Sequence, residues 1–217
     1  SQSVTIMLLV KAGSTYDIPL YSGTAYFLEH MFFKGTKSYP SSLELAMEIE
    51  MLGGMTNAST SYEYKGYYLK VPLKNLEKAM HLFSDVIFNP RLSPEELDKE
   101  RGVIAEEIRM YDDYPPEKIK DEFESRLFKG SALGRSIAGS LTSIKQIDDK
   151  VLKQFRLDDY TLDNMLLVVS GAVDTSSLEG IAEETFGQNK NELRKPEALS
   201  ENITQKIQHK YFHVKRQ

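Results

Sequence analysis

Residues 3 to 12, Ser-Val-Thr-Ile-Met-Leu-Leu-Val-Lys-Ala, form a nearly continuous apolar run rich in β-branched residues and closed by Gly13. That pattern predicts a buried strand. A second such run, Asn164 to Gly171, predicts another buried strand suited to the centre of a sheet. Between Ala25 and Phe33 the pattern changes. The apolar residues Ala25, Tyr26, Phe27, Leu28, Met31, Phe32 and Phe33 cover every side of a helix, so this helix is expected to be buried nearly all round. Glu29 and His30 interrupt it and are expected to be buried with it. A buried carboxylate or imidazole is costly unless it is paired, hydrogen-bonded or bound to a metal. An internal Glu-His hydrogen bond would also satisfy the pair.

The rest of the chain alternates between helical and strand periods. Ser41 and Ser42 cap a helix carrying Leu43, Met47, Ile49 and Leu52, which Gly53-Gly54 stops. Residues 55–60 and 62–71 read as two antiparallel strands. In the second, Tyr62, Tyr64, Gly66, Tyr68 and Lys70 alternate with Lys65, Tyr67, Leu69 and Val71. Residues 73–88 form a helix through Leu76, Met80, Phe83 and Ile87, with His81 on its surface and Asn89-Pro90 as its stop. Ser93-Pro94, followed by Glu95-Glu96, signals a strong helix start. The apolar stripe of that helix is Leu97, Val103, Ile104, Ile108 and Tyr111, and the helical period puts Glu100 and Glu107 along the same stripe. Glu106 and Arg109 fall on the solvated face. Helices follow at 115–128, 142–157 and 178–186. The polar stretch 187–202 reads as a mobile connection, and 203–214 as an edge strand with His209 and His213 facing solvent. Strands not regularly interleaved with helices predict an α+β two-layer sandwich, a largely antiparallel sheet with helices packed on one face.

Composition narrows the chemistry. At 217 residues, 41% hydrophobic and 27% charged, the chain suits one globular domain. A formal net charge of −5 with no basic cluster argues against a nucleic-acid binder. With no cysteine, any metal must be held by histidine and carboxylate. The lack of cysteine fits any compartment and mildly favours a reducing one. No run reaches the length of a membrane span, and no signal-peptide pattern opens the chain. Val4 to Val10 reads as a central strand with no preceding edge, which fits a targeting segment already removed.

Glu29, His30, Glu100 and Glu107 therefore lie on two helices expected to face one core. A one-metal hydrolase needs that arrangement: imidazole and carboxylate bind zinc, and a free carboxylate takes the proton of the bound water. A third protein ligand is required. Position 26 lies one turn before His30 on the same face, and it is occupied by Tyr26.

The segment Gly23-Thr-Ala-Tyr-Phe-Leu-Glu-His-Met31 resembles the inverted zinc-binding motif His-x-x-Glu-His, with tyrosine in place of the first histidine. The chain is identified as a member of the family of pitrilysin, insulin-degrading enzyme and mitochondrial processing peptidase. Gly53-Gly-Met-Thr-Asn-Ala58, the pair Glu100 and Glu107, Leu133-Gly-Arg135 and Tyr160 to Gly171 match that family as well. The resemblance implies His30 and Glu107 as zinc ligands beside the position of Tyr26, Glu29 as general base, and Glu100 as a catalytic-site residue that assists the distal carboxylate, Glu107. It also implies an edge strand that binds extended peptide by β-addition, with Asn57 and Ala58 on it. Arg135 is read either as a structural side chain or as a contact to a substrate carboxylate or phosphate. The resemblance further implies that residues 1–217 are a single peptidase-family domain, the N-terminal half of a longer subunit, working with a second homologous domain or partner chain. Similarity to the bacterial processing-peptidase-like members implies a bacterial, cytoplasmic protein, with an organellar matrix as the other compartment. Two functions stay open at Tyr26, because phenol must lose a proton of pKa near 10 to bind zinc as imidazole does. One is a zinc metalloendopeptidase with a degenerate site. The other is an inactive family member that binds peptide or supports an active subunit.

Overall fold

The structure, a computed structural model, describes residues 2–187. The expected mobile connection at 187–202, the edge strand at 203–214, His209 and His213 therefore lie outside the described residues, Gly187 excepted. Among the described residues four strands form one antiparallel sheet in the order β2-β3-β1-β4. The strands are β1 (Ser3–Val10), β2 (Met55–Thr60), β3 (Lys65–Pro72) and β4 (Met165–Gly171). Seven α-helices accompany them: α1 (Thr24–Phe32), α2 (Ser42–Met51), α3 (Leu76–Phe88), α4 (Pro94–Asp113), α5 (Pro115–Leu127), α6 (Asp149–Asp159) and α7 (Thr175–Thr185). This is the expected α+β architecture with an antiparallel sheet.

The strand period decides which side of the sheet the helices cover. Val4, Ile6, Leu8 and Val10 of β1 and Lys65, Tyr67, Leu69 and Val71 of β3 are buried, while the residues between them are partly exposed. The buried face packs with Ala25, Phe27, Leu28, Met31 and Phe32 of α1, which makes α1 a core helix under the sheet. β1 is central, as its composition implies.

Several expectations need correction. β4 ends the sheet among the described residues, and Leu166 and Val168 on its outer side are 58% and 40% exposed. Among the described residues it has a partner strand on one side, and its apolar run alternates between a half-buried and an exposed face. On α2 the buried residues are Leu45 and Ile49, whereas Leu43 and Met47 face solvent. On α4, Val103 and Tyr111 are exposed, and the inward face is Leu97, Glu100 and Ile104. The helix expected from residue 142 starts at Asp149, where Asp148 caps the amides of Lys150 and Val151.

The α2 start is well signalled. Ser41 Oγ accepts from the Glu44 amide while the Glu44 carboxylate accepts from the Ser41 amide, a reciprocal cap. Ser41→Ala is expected to cost about 1 kcal/mol in urea unfolding, with no effect on zinc or peptide binding. A loss above about 2 kcal/mol would mean that Ser41 has a role beyond capping.

Candidate metal centre

The position of α1 is fixed from outside the helix. Its N-cap residue, Gly23, has φ 97° and no side chain to cap with. A Cβ there would also lie 2.6 Å from the carbonyl oxygen of Ala138. Asp17 supplies the cap instead: one carboxylate oxygen accepts from the Gly23 amide at 2.7 Å, the other from the Ala25 amide at 2.9 Å. Negative charge at a helix N-terminus is favourable, yet Asp17 is only 3% exposed. Burial pushes its carboxyl up to about 7, against the lowering influence of the two amides, Lys65 and Arg135. Arg135 Nη2 donates to the backbone carbonyl of Asp17 at 3.0 Å, so this side chain secures the loop that carries the cap.

Tyr26, His30 and Lys34 follow one another at the four-residue spacing that stacks side chains along a helix face. Glu107 and Glu100, two turns apart on α4, face them. The Tyr26 hydroxyl donates to Glu107 Oε2 at 3.0 Å, and His30 Nδ1 lies 2.7 Å from Glu100 Oε1. Lys34 Nζ stands 2.6 Å from Glu100 Oε2, and His30 Nε2 lies 3.6 Å from Glu107 Oε2. The Tyr26 and His30 rings are 4.7 Å apart between centroids. Glu29 points to the sheet, where its carboxylate accepts a hydrogen bond from the Thr60 hydroxyl.

Burial differs across this ladder. Glu100 is 4% exposed, while Tyr26, Glu29, His30 and Glu107 are half-buried. The expectation that α1 is enclosed on all sides therefore fails along the line of Tyr26, Glu29, His30 and Phe33, which faces a partly open groove. Burial tends to raise the Glu100 carboxyl, but the hydrogen bonds from His30 and Lys34 outweigh it and hold Glu100 below its ordinary value. The Tyr26 phenol is pushed far up, first by burial, then by the charge of Glu107 and its hydrogen bond, with Tyr111 adding to both.

The structure thus brings together Tyr26, His30, Glu100 and Glu107, with Glu29 adjacent. It does not bring in Arg135, which is turned to Asp17. Asn57 and Ala58 lie on β2, the last strand of the sheet among the described residues, and Asn57 Oδ1 accepts from the Ala58 amide at 2.9 Å. The sequence reading gave no role to Asp17, Lys34, Thr60 or Lys65. Lys34 could have been found from its four-residue offset to His30, and Lys65 from its place in the apolar register of β3.

The donor set can be tested against zinc. Two ligands at about 2.0–2.1 Å on a tetrahedral ion stand roughly 3.3 Å apart, so His30 Nε2 and Glu107 Oε2 at 3.6 Å suit one ion. The third corner does not. Tyr26 places an O–H donor, not a lone pair, against the same Glu107 oxygen. Among the described residues no group of three His, Cys, Asp or Glu side chains is disposed to hold a metal. The residues present do not make a three-ligand zinc centre.

An antiparallel α+β layer structure, with a Glu-His pair on one core helix whose histidine faces a pair of glutamates on another, defines the class of inverted-motif metallopeptidase domains, here with one donor exchanged. The family model described as "Insulinase (Peptidase family M16)" matches residues 1–141. The chain is 34% identical over 218 residues to an uncharacterized zinc protease, YmxG, of Bacillus subtilis, covering 98% of this chain and 53% of that protein. It is 35% identical over 181 residues to the mitochondrial-processing peptidase subunit beta of Dictyostelium discoideum, covering 83% of this chain and 39% of that one. Among solved structures, a protease from Helicobacter pylori superposes with a TM-score of 0.84 at 28% identity, over 90% of this chain and 47% of that chain. The chain belongs to the insulinase family, peptidase family M16, and spans about half the length or less of these relatives.

Proposed function

We propose that this domain is a peptide-holding member of the zinc-protease family whose own centre is closed to zinc by Tyr26, and that it works beside a second homologous domain or chain. The observation that carries the reading is the Tyr26 hydroxyl on Glu107 Oε2 at 3.0 Å. That hydrogen bond occupies the third donor position and engages the Glu107 oxygen that lies towards His30. Peptide holding draws on β2, the last strand of the sheet among the described residues, where an extended segment gains main-chain hydrogen bonds with little side-chain selection. The need for a second domain draws on length, since the chain spans 53% of the Bacillus subtilis relative. On this reading residues 1–217 are the N-terminal half of a two-domain unit.

The competing reading, a working zinc metalloendopeptidase, draws on His30 and Glu107, whose placement still suits one ion, with Glu100 holding the far nitrogen of His30. Zinc content after dialysis against trace zinc and then metal-free buffer separates the two. The chain is expected to hold no more zinc than its His30→Ala variant, while a fluorescent extended peptide still binds. Retention of about one equivalent, lost on His30→Ala, would establish the peptidase reading instead.

A further inference from the structure

The buried face of β3 contains a charge. Lys65 is fully enclosed, at 0% exposure, among Tyr67, Leu69 and Val71 of the same strand. Its ammonium donates to the Tyr160 hydroxyl at 2.9 Å and stands 5.3 Å from the centroid of the Phe155 ring and 5.4 Å from that of Tyr160. The Tyr160 and Tyr67 hydroxyls share a further hydrogen bond of 2.7 Å. An ammonium has three donors and carries a large desolvation cost in such a place unless an anion faces it.

The charges of three carboxylates act on it: Glu29 of α1, Asp17 of the loop before α1, and Asp159 of α6. Of these, Glu29 exerts the strongest pull on Lys65. Asp17 is committed elsewhere, since both of its oxygens cap the amides of Gly23 and Ala25. The register explains why Glu29 is in reach. Thr60 of β2 is paired with Lys65 of β3, both on the side of the sheet that α1 covers, and the Thr60 hydroxyl is the group that binds the Glu29 carboxylate. The charge of Glu29 is also felt at the Tyr67 and Tyr160 hydroxyls, so this carboxylate belongs electrostatically to the same cluster.

We infer that Glu29 is the counter-ion of buried Lys65, held over the Thr60–Lys65 pair of the sheet, and that in this chain it serves the core as an anion rather than a bound water as a base. The assignment explains what the glutamate of the motif does in a domain with a closed centre. It rests on that reading only in leaving Glu29 free of a metal-bound water. Its test reads stability, so the two can fail separately.

The test is a double-mutant cycle by urea unfolding at about pH 5.5, below the Lys65 midpoint of about 7 so that its ammonium is charged in the fold, on the full chain, using Glu29→Gln, Lys65→Met and the double variant. Glu29→Gln alone is expected to lower the folding equilibrium constant at least about tenfold, because it leaves a buried ammonium without its main anion. In the Lys65→Met background the same substitution is expected to change it less than about threefold. Equal effects in both backgrounds, or a more stable protein on Glu29→Gln alone, would overturn the assignment. Should Lys65→Met not fold, lysine-selective NMR of the otherwise unaltered chain and of Glu29→Gln decides. The Lys65 titration midpoint is expected to move to lower pH when Glu29 is neutralised, and an unmoved midpoint rejects the pairing.

Discussion

Tyr26→His is expected to convert a chain with background zinc into one that retains about one equivalent, tightening the metal by more than about a hundredfold. The argument starts from which atoms are free. Replacing phenol by imidazole removes the O–H that now occupies Glu107 Oε2. It adds a lone pair one helical turn from His30, where the rings are already 4.7 Å apart. His30 needs little change, because its Nδ1 is held by Glu100 at 2.7 Å and its Nε2 is left towards Glu107 at 3.6 Å. A carboxylate on the far nitrogen of a ligating histidine fixes its tautomer and strengthens it as a donor. Tyr26→Phe is the control. It frees Glu107 without adding a donor, so it should bind no zinc and should cost about 1.5–3 kcal/mol in stability from the lost hydrogen bond to a charged group. Metal analysis after dialysis reads both variants. Zinc lost on Tyr26→Phe but held by the unaltered chain would make the phenol a ligand, and a Tyr26→His variant without zinc would mean that α1 and α4 are too far apart.

The same contact explains how the helix pair survives without a metal. An inverted-motif centre stripped of its ion would leave Glu107 beside neutral imidazoles, a half-buried carboxylate with little to satisfy it. Here the phenol gives that carboxylate a donor, and hydrogen bonds to charged groups are worth about 1.5–3 kcal/mol each. Lys34 does the corresponding work at the other end, at 2.6 Å from Glu100. The ladder from Tyr26 to Lys34 thus closes in charge and hydrogen bonds by protein groups alone.

What could be read in advance follows from how local each signal is. The strand β1, the cap at Ser93 and the facing pairs on α1 and α4 were legible, because period, capping chemistry and residue type act within a few positions. The exposure of Leu166 and Val168 on β4 was not, since an apolar run looks the same whether one or both of its faces are covered. Nor was the exposure of Val103 and Tyr111, which depends on how α4 is rotated against its neighbours. Glu29 shows a different kind of limit. Its type and position suggested a base, but its partners come from strands β2 and β3 and exist only once Thr60 and Lys65 are paired.

The other large effect concerns the support of α1. Asp17→Ala is expected to cost about 3 kcal/mol or more, because it leaves two buried amides, those of Gly23 and Ala25, without acceptors. Asp17→Asn keeps an acceptor and should cost less, and it also isolates the charge. The folded carboxyl sits at about 7 against an ordinary value of 3.8, so between those limits the folded state binds more protons than the unfolded one. Stability therefore falls as pH rises through that window, by up to about 1.4 kcal/mol per pH unit. Asp17→Asn should flatten this limb in urea unfolding measured across it. Lys65 works in the opposite sense on the alkaline side. Burial pulls its ammonium down from 10.5 to about 7, against the pull of Glu29, Asp17 and Asp159, so above about 7 the unfolded state binds more protons and stability rises with pH. Lys65→Met should flatten the alkaline limb and leave the acid limb standing. If neither substitution alters the pH profile, the two groups titrate as they would in water, and the cap on α1 acts through its hydrogen bonds alone.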